Sequence, residues 1–333
     1  MTISIESVAT YYPESKRSIQ QLAQRANKSL EWAKSTGITE LHVSKPGTAV
    51  TEAASKAVIK SLRNVKVESK EVDQLVFISE GISDYLYMDS SKHLLRKIGG
   101  RTDGSIHTND FFRGGNGTIG FIKLIGNQVL TNPAINISVM CSSLIWENHS
   151  NKRVLGNTFL GDGAGSIVLK NNLDYNQVLS VAVMSMSQYN MVTGFKYGGT
   201  KFDFTKKVVR GGEFVFDIIR SSHLKGVLDS VVQLGIKVAQ EALFKAKISI
   251  NQIGYIGVSG FREDYNEKIL HGVGVSSDVK KICSLSIKGY LGSVGVMEVL
   301  DIFFNDEEIK RNSTMLIIAV GIDINVEAMV VRK

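Results

Sequence analysis

Residues 155–170 read LGNTFLGDGAGSIVLK. The five residues Gly161-Asp162-Gly163-Ala164-Gly165 read as a loop that opens into the strand GAGSIVLKN. Working back from it, INISVMCSS (135–143) is a buried strand, GTIGFIKLIGNQVL (117–130) a helix and SIHTNDFF (105–112) a strand. Further back lie the helix SSKHLLRKIG, the strand VDQLVFISEG, the Ala-rich amphipathic helix TEAASKAVIKSLRN and the opening strand ISIESVATYYP. The stretch SIQQLAQRANKSLEWAKSTG reads as one helix closed by Gly37, because glycine favours the left-handed turn after a helix.

Working forward, the rhythm changes after Leu173. SMSQYNMVTGFKYGGTKFDFTKK reads as a loop or small subdomain. Strand and helix then alternate again: the long helix GVLDSVVQLGIKVAQEALFKAK, the strand IGYIGVSG, the helix EDYNEKILHGVG, a strand near Ile282, a helix after GYLGSVG, and a final strand pair. Strand–helix alternation in two halves predicts an α/β fold with helices on the faces of a parallel or mixed sheet. The expected division is 1–172 and 173–333. Each half carries one buried helix entered through a glycine-rich turn, Gly114–Gly120 in the first and Gly289–Gly295 in the second, where glycine lets helices approach closely.

The chain has 333 residues, 43% hydrophobic, with a formal charge of +7. That charge suits acidic partners, but the Lys and Arg residues are scattered, and no nucleic-acid module is present. The two cysteines, Cys141 and Cys283, have neither disulfide nor zinc spacing, so no metal is expected. Reduced thiols, the absence of a signal-peptide pattern and apolar runs no longer than MLIIAVGI predict a cytoplasmic protein with no membrane span.

The loop at 155–170 resembles the Phe-Gly-Asp-Gly-Ala-Gly element of the β-ketoacyl-ACP synthase III branch of the thiolase superfamily. SLEWAKSTGI resembles that family's N-terminal coenzyme A-binding element, with Trp32 as the ring for adenine. DQLVFIS resembles the strand that follows. INQIGYIGVSGF stands where the family has its histidine, and SIKGYLGSVG where it has its asparagine. The resemblance spans nearly the whole chain. It implies a thiolase-like fold of two similar halves in αβαβα layers, dimerisation, no cofactor, and acyl-CoA or acyl-ACP phosphopantetheine thioesters as substrates. It also implies a Cys-His-Asn set, with the cysteine thiolate held at a buried helix N-terminus.

NDFFRGGNGTIGFIKL (109–124) departs from that pattern. The resemblance puts Gly115 at the nucleophile position, Ser259 at the histidine and Tyr290 at the asparagine. Asn116 and Arg113 are adjacent polar residues, but neither carries acyl groups. Ser35 stands where the family has an arginine, with Lys34 beside it. Cys141 lies on a strand beyond the nucleophile helix, so it is expected to be a buried small side chain. Losing nucleophile, proton-handling group and oxyanion donor together leaves no evident route to a thioester-based condensation. Three readings follow. The first is a catalytically silent subunit, a homodimer or a heterodimer with an active homologue, together with an acyl carrier protein. The second is an acyltransferase working without an acyl-enzyme, with Asn116, Ser259 and Tyr290 as its polar groups. The third is a small-molecule binding protein on the same scaffold.

Overall fold

The computed structural model describes residues 3–333 except 113–115, 148, 151, 172, 261, 284 and 323. Ten strands form one sheet: β1 (Ile3–Tyr11), β2 (Gln74–Ser79), β3 (His107–Phe112), β4 (Ser138–Leu144), β5 (Gly163–Asn171), β6 (Gln177–Ser185), β7 (Tyr255–Ser259), β8 (Lys280–Cys283), β9 (Thr314–Val320) and β10 (Asn325–Arg332). Their order is β8-β7-β9-β10-β6-β1-β5-β4-β2-β3. Read outward from the centre, each half repeats one arrangement. Strands β4, β2 and β3 are parallel, as are β9, β7 and β8, while β5 and β10 run antiparallel to their neighbours. The halves join where β1 meets β6, at Ser4 and Gln177.

Six helices repeat in the same way: α1 (Val50–Asn64), α2 (Ser90–Lys97) and α3 (Thr118–Thr131) in the first half, then α4 (Ser221–Ala246), α5 (Glu263–Val273) and α6 (Gly292–Asn305) in the second. Helices α3 and α6 pack inside one apolar cluster with both half-sheets, through residues such as Ile122, Ile167, Val299, Phe303 and Met315. The outer faces are covered by α1 and α2 on one side and by α4 and α5 on the other. The two-residue period of a strand explains the layering. On β9, Met315 and Ile317 face the inner helices, whereas Leu316 and Ile318 face α4 and α5. Both faces are buried, so the strand reads as a continuous apolar run. The thiolase-like αβαβα fold is therefore present.

Gly165 is there because β5 touches α6: a Cβ on it would lie 2.6 Å from Met297 Sδ. Two local expectations differ. The single helix expected over 18–37 is two, Ile19–Ala26 and Leu30–Lys34. Asn27 turns left-handed (φ 54°) after the first, and the Ser29 side chain caps the second. Strand β6 stands at the centre of the sheet, where the sequence reading placed no strand. Beyond it, residues 186–220 form a two-stranded hairpin (Thr193–Phe195 with Phe216–Ile218) and a short helix, Lys206–Arg210.

Candidate functional site

The N-termini of α3 and α6 meet at the centre of the molecule. A helix start leaves unpaired N–H groups and partial positive charge, so something must satisfy both. At α3 the Glu327 carboxylate, from β10, accepts from the amides of Ile119 (3.0 Å) and Gly120 (3.2 Å). The preceding amide, Gly117 N, donates to Ser293 Oγ at 3.2 Å, and the Thr118 hydroxyl donates to Ser293 O at 2.8 Å. At α6 the Glu80 carboxylate, just past β2, accepts from Ser293 N. Both carboxylates are buried, Glu327 completely. Each half thus sends an acidic side chain to the inner helix of the other.

The resemblance assigns four residues to this centre. Gly115 lies outside the described residues. Asn116 is fully buried beside the start of α3, and neither its amide oxygen nor its nitrogen has a hydrogen-bond partner. Ser259 ends β7, and its hydroxyl donates to Gly292 O at 3.4 Å. Tyr290 is 1% exposed, packed among Leu144, Trp146, Leu155, Leu160 and Phe216. Its hydroxyl accepts from Ile322 N at 3.3 Å. None of Asn116, Ser259 and Tyr290 lines a described cavity. Trp32 is half-buried, edge-on to Phe159 at 5.6 Å, with Lys28 Nζ 5.2 Å from its ring. Phe159 links it to this centre, since the Phe159 carbonyl accepts from Tyr290 N. Lys34 and Ser35 are exposed, and the Ser35 hydroxyl turns back to Trp32 O.

The Gly-Asp-Gly-Ala-Gly loop is an anchor. Asp162 is fully buried and accepts from the amides of Ser44 (2.7 Å) and Trp146 (2.9 Å). The Arg153 guanidinium, also fully buried, makes two 2.8 Å bonds to Asp162 and two more to Glu147. Burial opposes its charge, but the two carboxylates outweigh that and hold Arg153 above its ordinary value. Gly161 has no Cβ because Lys288 O fills that space. Cys141 is buried, donates weakly to Val76 O at 3.4 Å, and has its thiol pushed up by burial and by Asp110, so it is no nucleophile.

The largest of the described cavities lies elsewhere. It holds about 620 Å³ between the segment Glu80–Leu86 and the hairpin region, with Phe112, Phe195, Phe204, Phe214 and Phe216 in its wall. Glu80 lines it and is one hydrogen bond from the helix ends. No local signal marks Glu80, Glu327, Trp146 or His149: each lies in an unremarkable stretch, and contacts across the fold single them out. Among the described residues, no cluster of His, Cys, Asp and Glu is placed to hold a metal, and no helix is long and apolar enough to cross a membrane.

No protein-family model matches the chain. The β-ketoacyl-[acyl-carrier-protein] synthase III of Fusobacterium nucleatum is 23% identical over 260 residues, 77% of this chain and 76% of the relative. The protein of the same description from Clostridioides difficile is 20% identical over 336 residues, 98% of this chain and 97% of the relative. The crystal structure of 3-oxoacyl-(acyl carrier protein) synthase III from Pseudomonas aeruginosa superimposes with a TM-score of 0.83 at 13% identity, covering 100% of this chain and 98% of that one. The sheet order, the paired inner helices and these likenesses agree: the chain is similar in sequence to β-ketoacyl-ACP synthase III proteins over most of its length and has the same thiolase-like fold as the solved one.

Proposed function

We propose that this chain is a catalytically silent subunit on a β-ketoacyl synthase III-like scaffold, paired with an active homologue that carries the Cys-His-Asn set. The observation that carries the reading is the Glu327 carboxylate on the amides of Ile119 and Gly120. In the family this helix end is expected to favour a cysteine thiolate. Here the chain places its own acceptor on those amides, so they are already occupied and are not free to favour a thiolate. Tyr290 supports the reading by filling the asparagine position with a packed ring.

Pairing has its own support. Strand β3 is an edge of the sheet. At its end Phe112 is exposed, as are Tyr85, Leu86 and Tyr87 of the segment after β2. An unpaired strand edge beside exposed large apolar groups is a surface that a second thiolase-like chain would cover.

The test has two arms. Intact mass after incubation with acetyl- or octanoyl-coenzyme A is expected to stay unchanged. Affinity capture from the native cell is expected to retrieve a condensing-enzyme homologue with an intact cysteine. A stable acyl adduct on a buried residue would overturn silence and favour the acyltransferase reading. Capture of no such homologue, with the chain monomeric in solution, would overturn the pairing.

A further inference from the structure

Cations are scattered through most of the chain, but residues 196–210, KYGGTKFDFTKKVVR, gather five of them. With the single acid Asp203 the stretch carries +4, against +7 for all 333 residues. Lys196, Lys201, Lys206, Lys207 and Arg210 are all exposed, and among the described residues none of the five is ion-paired. Large apolar groups share the stretch. Phe202 is 43% exposed, Phe204 48% and Val209 51%. Exposed apolar groups among unpaired cations mark a surface that meets something both anionic and apolar.

The local fold turns these groups outward. Gly198 N donates to Phe202 O at 2.9 Å and closes a loop, after which Phe204 leans edge-on against Phe214 at 4.6 Å. The Thr205 hydroxyl caps the short helix Lys206–Arg210 by accepting from Val208 N at 3.3 Å. Val208 is the buried side of that helix, which leaves Lys206, Lys207, Val209 and Arg210 in solvent. Lys196 Nζ stands 5.2 Å from the Tyr197 ring centre and Lys201 Nζ 5.7 Å from that of Phe202, so each ammonium covers a ring face. Phe204 also borders the groove beside Tyr85 and Leu86 and belongs with the pairing surface.

We propose that residues 196–210 form a docking face for an anionic lipid bilayer, with the five cations among phosphate headgroups and Phe202 and Val209 entering the boundary with the acyl chains. Basic residues interleaved with exposed apolar side chains suit that boundary, and each Lys or Arg near an anionic leaflet adds to the attraction. An acidic protein surface would satisfy the cations but leave Phe202 and Val209 in water. A nucleic acid would stack its bases on ring faces, which the Lys196 and Lys201 ammoniums cover here. The contact is peripheral: among the described residues, no helix is long and apolar enough to cross a membrane. It rests neither on catalytic silence nor on pairing.

Co-sedimentation of the full chain with vesicles of phosphatidylcholine, and of phosphatidylcholine mixed equally with phosphatidylglycerol, tests it. Binding is expected with the anionic vesicles alone, and to weaken as salt rises. The double variant Lys206→Gln/Lys207→Gln is expected to bind roughly tenfold or more weakly, as the loss of two lysines at an anionic surface implies. Phe202→Ser, which leaves the charge unchanged, is expected to bind severalfold more weakly. Lys66→Gln/Lys70→Gln, an equal loss of charge at exposed positions after α1, is expected to match wild type. No binding to the anionic vesicles overturns the proposal. So do equal losses in the two lysine pairs, which would show a response to net charge, and unchanged binding by Phe202→Ser, which would favour an acidic protein. Tighter binding of a single-stranded oligonucleotide than of the vesicles, or loss of the wild-type oligomer in Lys206→Gln/Lys207→Gln by light scattering, also overturns it and assigns the face to nucleic acid or to pairing.

Discussion

Glu327 Oε2 lies 3.0 Å from the backbone nitrogen of Ile119, joining the last strand to the first inner helix across 208 residues of sequence. The contact is wholly buried and serves two amides at once. Removing the acceptor strands both donors. Glu327→Ala is expected to lower unfolding free energy by about 2–4 kcal/mol, from an unsatisfied buried helix end plus a cavity. Glu327→Gln keeps a carbonyl oxygen and is expected to lose less, about 1–2 kcal/mol. Urea unfolding followed by circular dichroism measures both. Equal losses would show that the hydrogen bonds to Ile119 and Gly120 matter less than the charge.

Arg153 is the corresponding hub at the glycine loop. It bridges Asp162 and Glu147 with no exposed surface of its own. Arg153→Met removes one sign of charge and leaves the other buried, which costs about 3–5 kcal/mol. Low soluble yield and an early thermal transition are expected. Arg153→Lys cannot span both carboxylates in a fork and is expected to fall between the two. A thermal midpoint unchanged from wild type in Arg153→Met would remove the anchoring role.

These two residues also show where a sequence stops being informative. The Gly161–Gly165 loop and the strand–helix alternation were legible because they are local: glycine spacing and apolar period can be read within a dozen residues. The resemblance points to Asn116, Ser259 and Tyr290; the Ser259 hydroxyl reaches Gly292 O, two residues from Tyr290, and Asn116 precedes Gly117, whose amide meets Ser293. Glu80 and Glu327 were not legible. An isolated acid beside a strand reads as a solvated end, and only the meeting of α3 and α6 turns it into a helix cap. The break at Asn27 was missed because an asparagine inside an amphipathic pattern gives no warning that it turns left-handed. Strand β6, Gln177–Ser185, is a short apolar run of nine residues that gives no helix or turn signal of its own before the irregular segment that follows.

His149 gives a pH signature. Burial depresses its imidazole, so below the ordinary histidine range the unfolded chain takes up a proton that the native chain resists. That contribution to stability is present above the ordinary value and is lost as pH falls through it. The difference in urea midpoint between wild type and His149→Gln is therefore expected to shift against wild type from pH 7.5 to pH 5.5. Parallel pH profiles for the two proteins would show that His149 ionises as freely folded as unfolded.

Tyr290 separates packing from assembly. Its ring fills the cluster of Leu144, Trp146 and Phe216, away from strand β3 and the exposed group at Tyr85–Tyr87. Tyr290→Ala is expected to cost about 3–5 kcal/mol, as for large buried aromatic rings. Its oligomeric state by light scattering is expected to match that of wild type. Dissociation of the variant at unchanged concentration would tie the ring to the interface.

The last prediction concerns restoring a thiol. Gly115→Cys in a Cys283→Ser background leaves the deeply buried Cys141 as the other thiol. In sequence the new side chain precedes Asn116 and Gly117, and the resemblance puts the nucleophile there. A thiolate held by the α3 helix end would compete with Glu327, which already accepts from Ile119 and Gly120. The single variant is therefore expected to alkylate slowly with iodoacetamide at pH 7 and to form no acyl-enzyme. Adding Glu327→Ser removes the competing acceptor and frees two amides. The thiol is then expected to react at lower pH, with its midpoint shifted down by about one unit or more, the direction that a helix N-terminus gives a cysteine. Turnover is still not expected, because Ser259 and Tyr290 supply neither the proton transfer nor the oxyanion bonds that condensation needs. If Gly115→Cys alone already ionises below pH 7 and condenses thioesters, Glu327 is not what silences this helix end.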